Sequence, residues 1–134
     1  MRMAFGLTAA LLAGSVLPSL AAAQSQPSSQ PTYNPYPIAV LQGLDKVTAR
    51  ISRVEAPVDQ EVTFGSLRIM ARTCRKRPPE ETPESAAFLE IHDQKPGEQA
   101  QSLFSGWMFA SSPALNPLHH PVYDVWVIDC KKAE

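Results

Sequence analysis

From Ile38 onward, apolar and polar residues alternate with a period close to two, the spacing of half-buried β-strands. Val47, Ala49 and Ile51 alternate with Thr48, Arg50 and Ser52, and "APVDQ" (56–60) closes them with a turn carrying Pro and Asp, which predicts a first strand. In "EVTFGSLRIMAR", Val62 and Phe64 fall on one parity and Leu67, Ile69 and Ala71 on the other, so Gly65 between them predicts a bulge or tight turn. "SAAFLEIH" (85–92) sets Ala87, Leu89 and Ile91 on one face, and "DQKPGEQ" (93–99) is a turn centred on Pro96-Gly97. "LFSGWMF" (103–109) and "VYDVWVIDC" (122–130) are apolar on nearly both faces, which predicts central strands. Between them Ser112 is placed as an N-cap and Pro113 as the first position of a single helical turn that Pro117 stops. The pattern predicts a mostly-β domain: a small antiparallel barrel or sandwich of about five or six strands with one short helical turn.

Upstream of this region the pattern changes. Arg2 precedes an uncharged apolar run, and "LAAA" (20–23) ends in a small-residue cleavage signal. Residues 1–23 are expected to be a secretory signal peptide cut after Ala23. The run is shorter than the roughly 20 apolar residues of a spanning helix, so no transmembrane segment is expected after processing. "QSQPSSQPTYNPYP" (24–37) has no charge and no aliphatic side chain and is expected to be a flexible leader, with Tyr33 and Tyr36 able to dock on the domain or a partner. Residues 38–134 then form one β-rich domain.

Composition narrows the function. Lys and Arg total 12 against 13 Asp and Glu, and signal cleavage would remove Arg2. A near-neutral chain of this kind argues against binding nucleic acid by bulk charge, or a membrane through a polybasic face.

Two cysteines in an exported chain of this length are expected to pair. A Cys74–Cys130 bond closes a loop of about 56 residues, worth about 4 kcal/mol in the chain-entropy model. No C-x-x-C pair supports a redox role. His119 and His120 are adjacent, and in extended chain His120 and Asp124 share a face, but only His92 could complete a set of three ligands and the spacing matches no zinc motif. The histidines are read as loop anchors or surface groups, with no metal and no cofactor expected.

No G-x-S-x-G elbow is present. Asp124 interrupts an apolar strand, which calls for a partner if the carboxylate is buried, and Arg68 or Arg72 is the expected one. Arg68, Arg72, Arg75, Lys76 and Arg77 could form an anion-binding patch, but Glu80, Glu81 and Glu84 follow at once, so a self-neutralising loop is the favoured reading. Trp107 and Trp126, at the centres of the most apolar strands, are expected to pack in the core.

"ARTCRKRPPEETPESAAFLEI" with "LFSGWMFASSPALNPLHHPVYDVWVIDC" resembles the secreted family of Gram-negative bacteria catalogued as domain of unknown function 2155, over about Ala39 to Lys131. The resemblance implies cysteines at positions 74 and 130 and an exported location, and supplies no activity. The family usually carries an acidic residue before the histidine of H-P-V-Y-D-V-W; His119 stands there, which puts a catalytic carboxylate at that position in doubt. The resulting expectation is a periplasmic, non-enzymatic binding or envelope accessory domain whose partner is another periplasmic protein or a cell-wall component, with Arg68, Arg72, His119, His120 and Asp124 as candidate binding residues. The rival is a small hydrolase or metal-dependent enzyme using His119, His120 and Asp124.

Overall fold

A computed structural model of the chain describes residues 6, 10–15, 22 and 30–134. Apart from residues 6, 10–15 and 22, the expected signal peptide and the first part of the leader (24–29) lie outside the described residues. Among the described residues there are eight strands: β1 (Asn34–Tyr36), β2 (Ile38–Asp45), β3 (Arg50–Pro57), β4 (Glu61–Phe64), β5 (Leu67–Lys76), β6 (Ser85–Asp93), β7 (Gln101–Phe109) and β8 (Tyr123–Lys131). They form two antiparallel sheets. In the larger, β5 pairs with β6 on one side and with β4 and then β1 on the other, and β7 extends the sheet beyond β6. The smaller has the order β3-β2-β8.

The sheets stack as an open sandwich rather than closing into a barrel, and their facing side chains make the core. Leu67, Ile69, Ala71, Ala87, Leu89, Ile91 and Met108 come from the larger sheet, and Ala39, Leu41, Ala56, Val125 and Val127 from the smaller. Alternation along β6 explains its share: Ala87, Leu89 and Ile91 are fully buried while Phe88, Glu90 and His92 face outward. Cys74 on β5 and Cys130 on β8 join the two sheets as the expected disulfide, with Cα atoms 5.8 Å apart.

Several expectations are corrected. The count is eight strands rather than five or six. Val47 and Ala49 lie in the β2–β3 hairpin turn rather than in a strand: Asp45 Oδ1 accepts the N–H groups of Val47 and Thr48 at 2.9 and 3.1 Å, Ala49 takes φ 58°, and Val47 is 76% exposed. An Asx-type cap therefore overrides the local alternation. β7 and β8 are edge strands, not central ones. The residues after Ser112 make no helix; Leu115 N–H donates to Ser112 O at 3.0 Å in an isolated turn. Part of the expected leader is strand, since β1 pairs with Cys74–Lys76 and Tyr36 packs on the core.

Candidate functional site

The outer face of the larger sheet carries an aromatic surface assembled by strand register. Arg75, Ala86 and Phe109 lie in one row across β5, β6 and β7; Thr73, Phe88 and Trp107 lie in the next. Phe88 and Trp107 meet edge to face with centroids 5.7 Å apart, the arrangement their ring quadrupoles favour. Ala86 is small and sits between larger neighbours, so the first row dips at its centre. Tyr33 closes one side. It is held by the Arg77 guanidinium, 5.2 Å from its ring centroid, while the N–H of Thr32 donates to the Glu81 carboxylate at 3.1 Å.

Tyr33, Thr73, Arg75, Ala86, Trp107 and Phe109 thus line an open groove of about 400 Å³. Trp107 is 38% exposed. Among the described residues no carboxylate pairs with Arg75, whereas its basic neighbours are engaged: Arg68 with Glu61 at 2.9 Å, Arg72 with Asp59 at 3.2 Å and Glu90 at 3.1 Å, and Lys76 with Asp129 at 2.8 Å. The bonds to Glu90 and then Asp59 raise the pKa of Arg72 further. At Asp129, burial opposes ionisation, but Lys76, the Cys130 N–H and Ser85 outweigh it and hold the carboxyl below its ordinary range.

The basic cluster is therefore neutralised largely from across the strands, not from the adjoining Glu80-Glu81 loop. Glu84 is used elsewhere: it accepts the N–H groups of Ser85 and Ser111, each at 3.0 Å, and the Ser111 hydroxyl. Burial pushes its pKa up, and these bonds with Arg77 push it down by more, so it stays below the usual carboxylate range.

The other candidates are dispersed. The expected partnership of Asp124 with Arg68 or Arg72 is absent, because nearer acids on β4, β6 and the β3–β4 turn occupy both arginines. Asp124 lies instead in a second groove with Trp126. His119 is exposed. His120 is buried, bonded through Nε2 to Asp93 Oδ2 at 3.0 Å, while its Nδ1 accepts the N–H groups of Val122 and Tyr123, both at 3.0 Å. Both ring nitrogens are committed, so His120 anchors the loop entering β8. Among the described residues no group of three or more His, Cys, Asp or Glu is placed to hold a metal, and no helix is long and apolar enough to cross a membrane.

The tryptophans are a further correction: neither is a core residue. Trp107 lies on the outer face of the larger sheet, and Trp126 alternates with buried Val125 and Val127 on β8. Sequence reasoning singled out Tyr33 as able to dock on the domain, but missed Thr73 and Phe109 as groove residues and Asp93 as the partner of His120. The signal available for the groove was the pair of apolar runs that fill both faces of their strands.

Comparison with known proteins agrees with the fold-independent motifs. Residues 39–130 match the family described as an uncharacterized protein conserved in bacteria. The uncharacterized protein RP359 of Rickettsia prowazekii (strain Madrid E) is 30% identical over 87 residues, covering 65% of this chain and 56% of that protein. This chain thus spans little more than half of the relative it matches. No solved structure matches. With most of its length covered, the chain belongs to the bacterial family of domain of unknown function 2155.

Proposed function

We propose that this protein is an exported, periplasmic, non-enzymatic binding domain, and that the Tyr33–Arg75–Trp107 groove holds its ligand. The observation that carries the reading is a half-exposed indole beside a guanidinium with no carboxylate partner among the described residues, in an open cavity of about 400 Å³. Ligand pockets commonly combine an apolar lining with a few polar groups that fix orientation. Here aromatic rings supply the lining, Arg75 supplies the charge and the Thr73 hydroxyl supplies direction. The matching ligand is an envelope component, either cell-wall fragment or periplasmic protein segment, that presents an apolar group beside a carboxylate. The groove contains no histidine, no paired carboxylates and no thiol, which supports binding over turnover.

The test uses the Trp126→Phe chain, in which Trp107 is the remaining tryptophan. Titration with solubilised cell-wall fragments should change its emission saturably, and Arg75→Ala should weaken that binding about tenfold. Saturation unaffected by Arg75→Ala, or release of cleaved product from the fragments, would overturn the reading.

A further inference from the structure

The second groove lies on the smaller sheet, remote in chemistry from the first. Pro113, Ala114 and Pro117 of the β7–β8 loop, with Asp124 and Trp126 of β8, line an open cavity of about 400 Å³. Asp124 and Trp126 are two residues apart on a strand and so project to the same side, while Val125 between them is buried in the core. The loop wall is braced. The prolines fix two of its φ angles, Leu115 N–H donates to Ser112 O at 3.0 Å, and Asn116 Nδ2–H donates to the carbonyl of Trp107 at 2.9 Å. Leu115 nevertheless stays 70% exposed in that loop.

The carboxylate of Asp124 has no partner among the described residues. Lys46 donates to the carbonyl of His120 at 2.7 Å, Lys131 pairs with Glu55 at 2.7 Å, and Arg68 and Arg72 hold their own acids. Arg53 shares this face of the smaller sheet but lies two strands from β8, in register with Trp126 across Gln42, and makes no ion pair with Asp124. An anion and an indole on one strand face, walled by proline and alanine carbons, complement a cation on an apolar stem. The carboxylate meets its charge, the ring face adds a cation–π contact, and the wall covers the methylenes.

We propose that this groove receives a lysine or arginine side chain of a partner polypeptide. It is a site of opposite sign to the Arg75 groove, and the two tryptophans report on them separately. In the Trp107→Phe chain, Nα-acetyl-lysine amide or Nα-acetyl-arginine amide should shift Trp126 emission saturably. Nα-acetyl-norleucine amide, which keeps the stem without the charge, should not. Asp124→Asn in the same background should weaken the cationic probes about tenfold or more. If that variant fails to fold, the contrast between lysine and norleucine amides decides by itself. Equal responses to the two, or no saturation by either cationic probe up to about 100 mM, would overturn the proposal. The Trp126→Phe chain should ignore the cationic probes, which keeps this outcome distinct from any result at the Arg75 groove.

Discussion

His120 donates its Nε2–H to Oδ2 of Asp93 across 3.0 Å, joining the approach to β8 with the last residue of β6 where both side chains are nearly out of water. The proton is assigned to Nε2 because Nδ1 accepts two main-chain N–H groups. Asp93 is also bonded through Oδ1 to the hydroxyl of Ser66 at 2.6 Å. The carboxylate thus sits between serine and histidine and ties three segments from two sheets. The Ser-His-Asp triad order, in which histidine bridges serine and aspartate, is not formed.

That position makes Asp93 a source of acid sensitivity. The Ser66 hydroxyl, ahead of opposing burial and then His120 and Lys95, holds its carboxyl below the usual range. A folded pKa below the unfolded value of about 3.9 means that the stabilisation is fully present above that value and is lost as pH falls through the folded one. Asp93→Asn should lower unfolding free energy at pH 7 by about 1–3 kcal/mol and make the decline expected between about pH 5 and 2 shallower. Glu84 and Asp129 are depressed in the same direction and leave a residual slope. Urea denaturation at a series of pH values reads both effects; identical acid slopes in parent and variant would exclude Asp93 as a contributor.

The disulfide acts on the same sandwich from its other end. Cys74 and Cys130 are separated by 56 residues and join β5 to β8, where the sheets are otherwise held by side-chain packing and by the Lys76–Asp129 ion pair at 2.8 Å. Replacing both by alanine should cost about 4 kcal/mol, less whatever structure persists in the unfolded chain. The oxidised protein should show no titratable thiol until it is denatured and reduced. A double variant with an unchanged denaturation midpoint would mean that packing and the Lys76–Asp129 pair hold the sheets without the covalent link.

Glu84 provides a smaller and more local test. Its bonds to Ser111 and Ser85 fasten the β5–β6 loop to the start of the loop after β7. Glu84→Ala should cost about 1–3 kcal/mol by leaving those donors without their charged acceptor. Hydrogen exchange at the Ser111 amide should quicken more than that at core amides of β6. Uniform acceleration would indicate global loosening instead.

Which features were legible in the sequence follows from how local their causes are. β6 could be read because its alternation is unbroken from Ala87 to Asp93, and the Gly65 turn because parity switches there. β2 could not: Val40 and Leu41 are both fully buried, and opposite them Ile128 is an extra residue that shifts the register of β8. A bulge erases the period that marks a strand. β7 and β8 read as central because both faces are apolar, yet their second faces are aromatic surfaces lining grooves. The Ser66–Asp93–His120 link joins residues 27 apart at each step, a separation at which no periodicity signals contact.

Gly65 combines two constraints that substitution can separate. Its φ is 58°, and a Cβ there would run into the ring and hydroxyl of Tyr123. Tyr123 cannot readily withdraw, because it stacks on His120 with centroids 5.3 Å apart and meets Phe64 edge to face at 5.4 Å. Gly65→Ala therefore combines a left-handed backbone penalty of about 1–2 kcal/mol with an overpacking cost of about 1–3 kcal/mol. Gly97, in the β6–β7 turn, has φ 75° and open space around its Cβ position, so Gly97→Ala should incur only the first part. Thermal denaturation of the two variants should place Gly65→Ala clearly below Gly97→Ala, with near-UV circular dichroism of the tyrosine region altered only in the former. Equal losses would mean that the aromatic stack yields to the new methyl group and contributes little rigidity at the entry to β8.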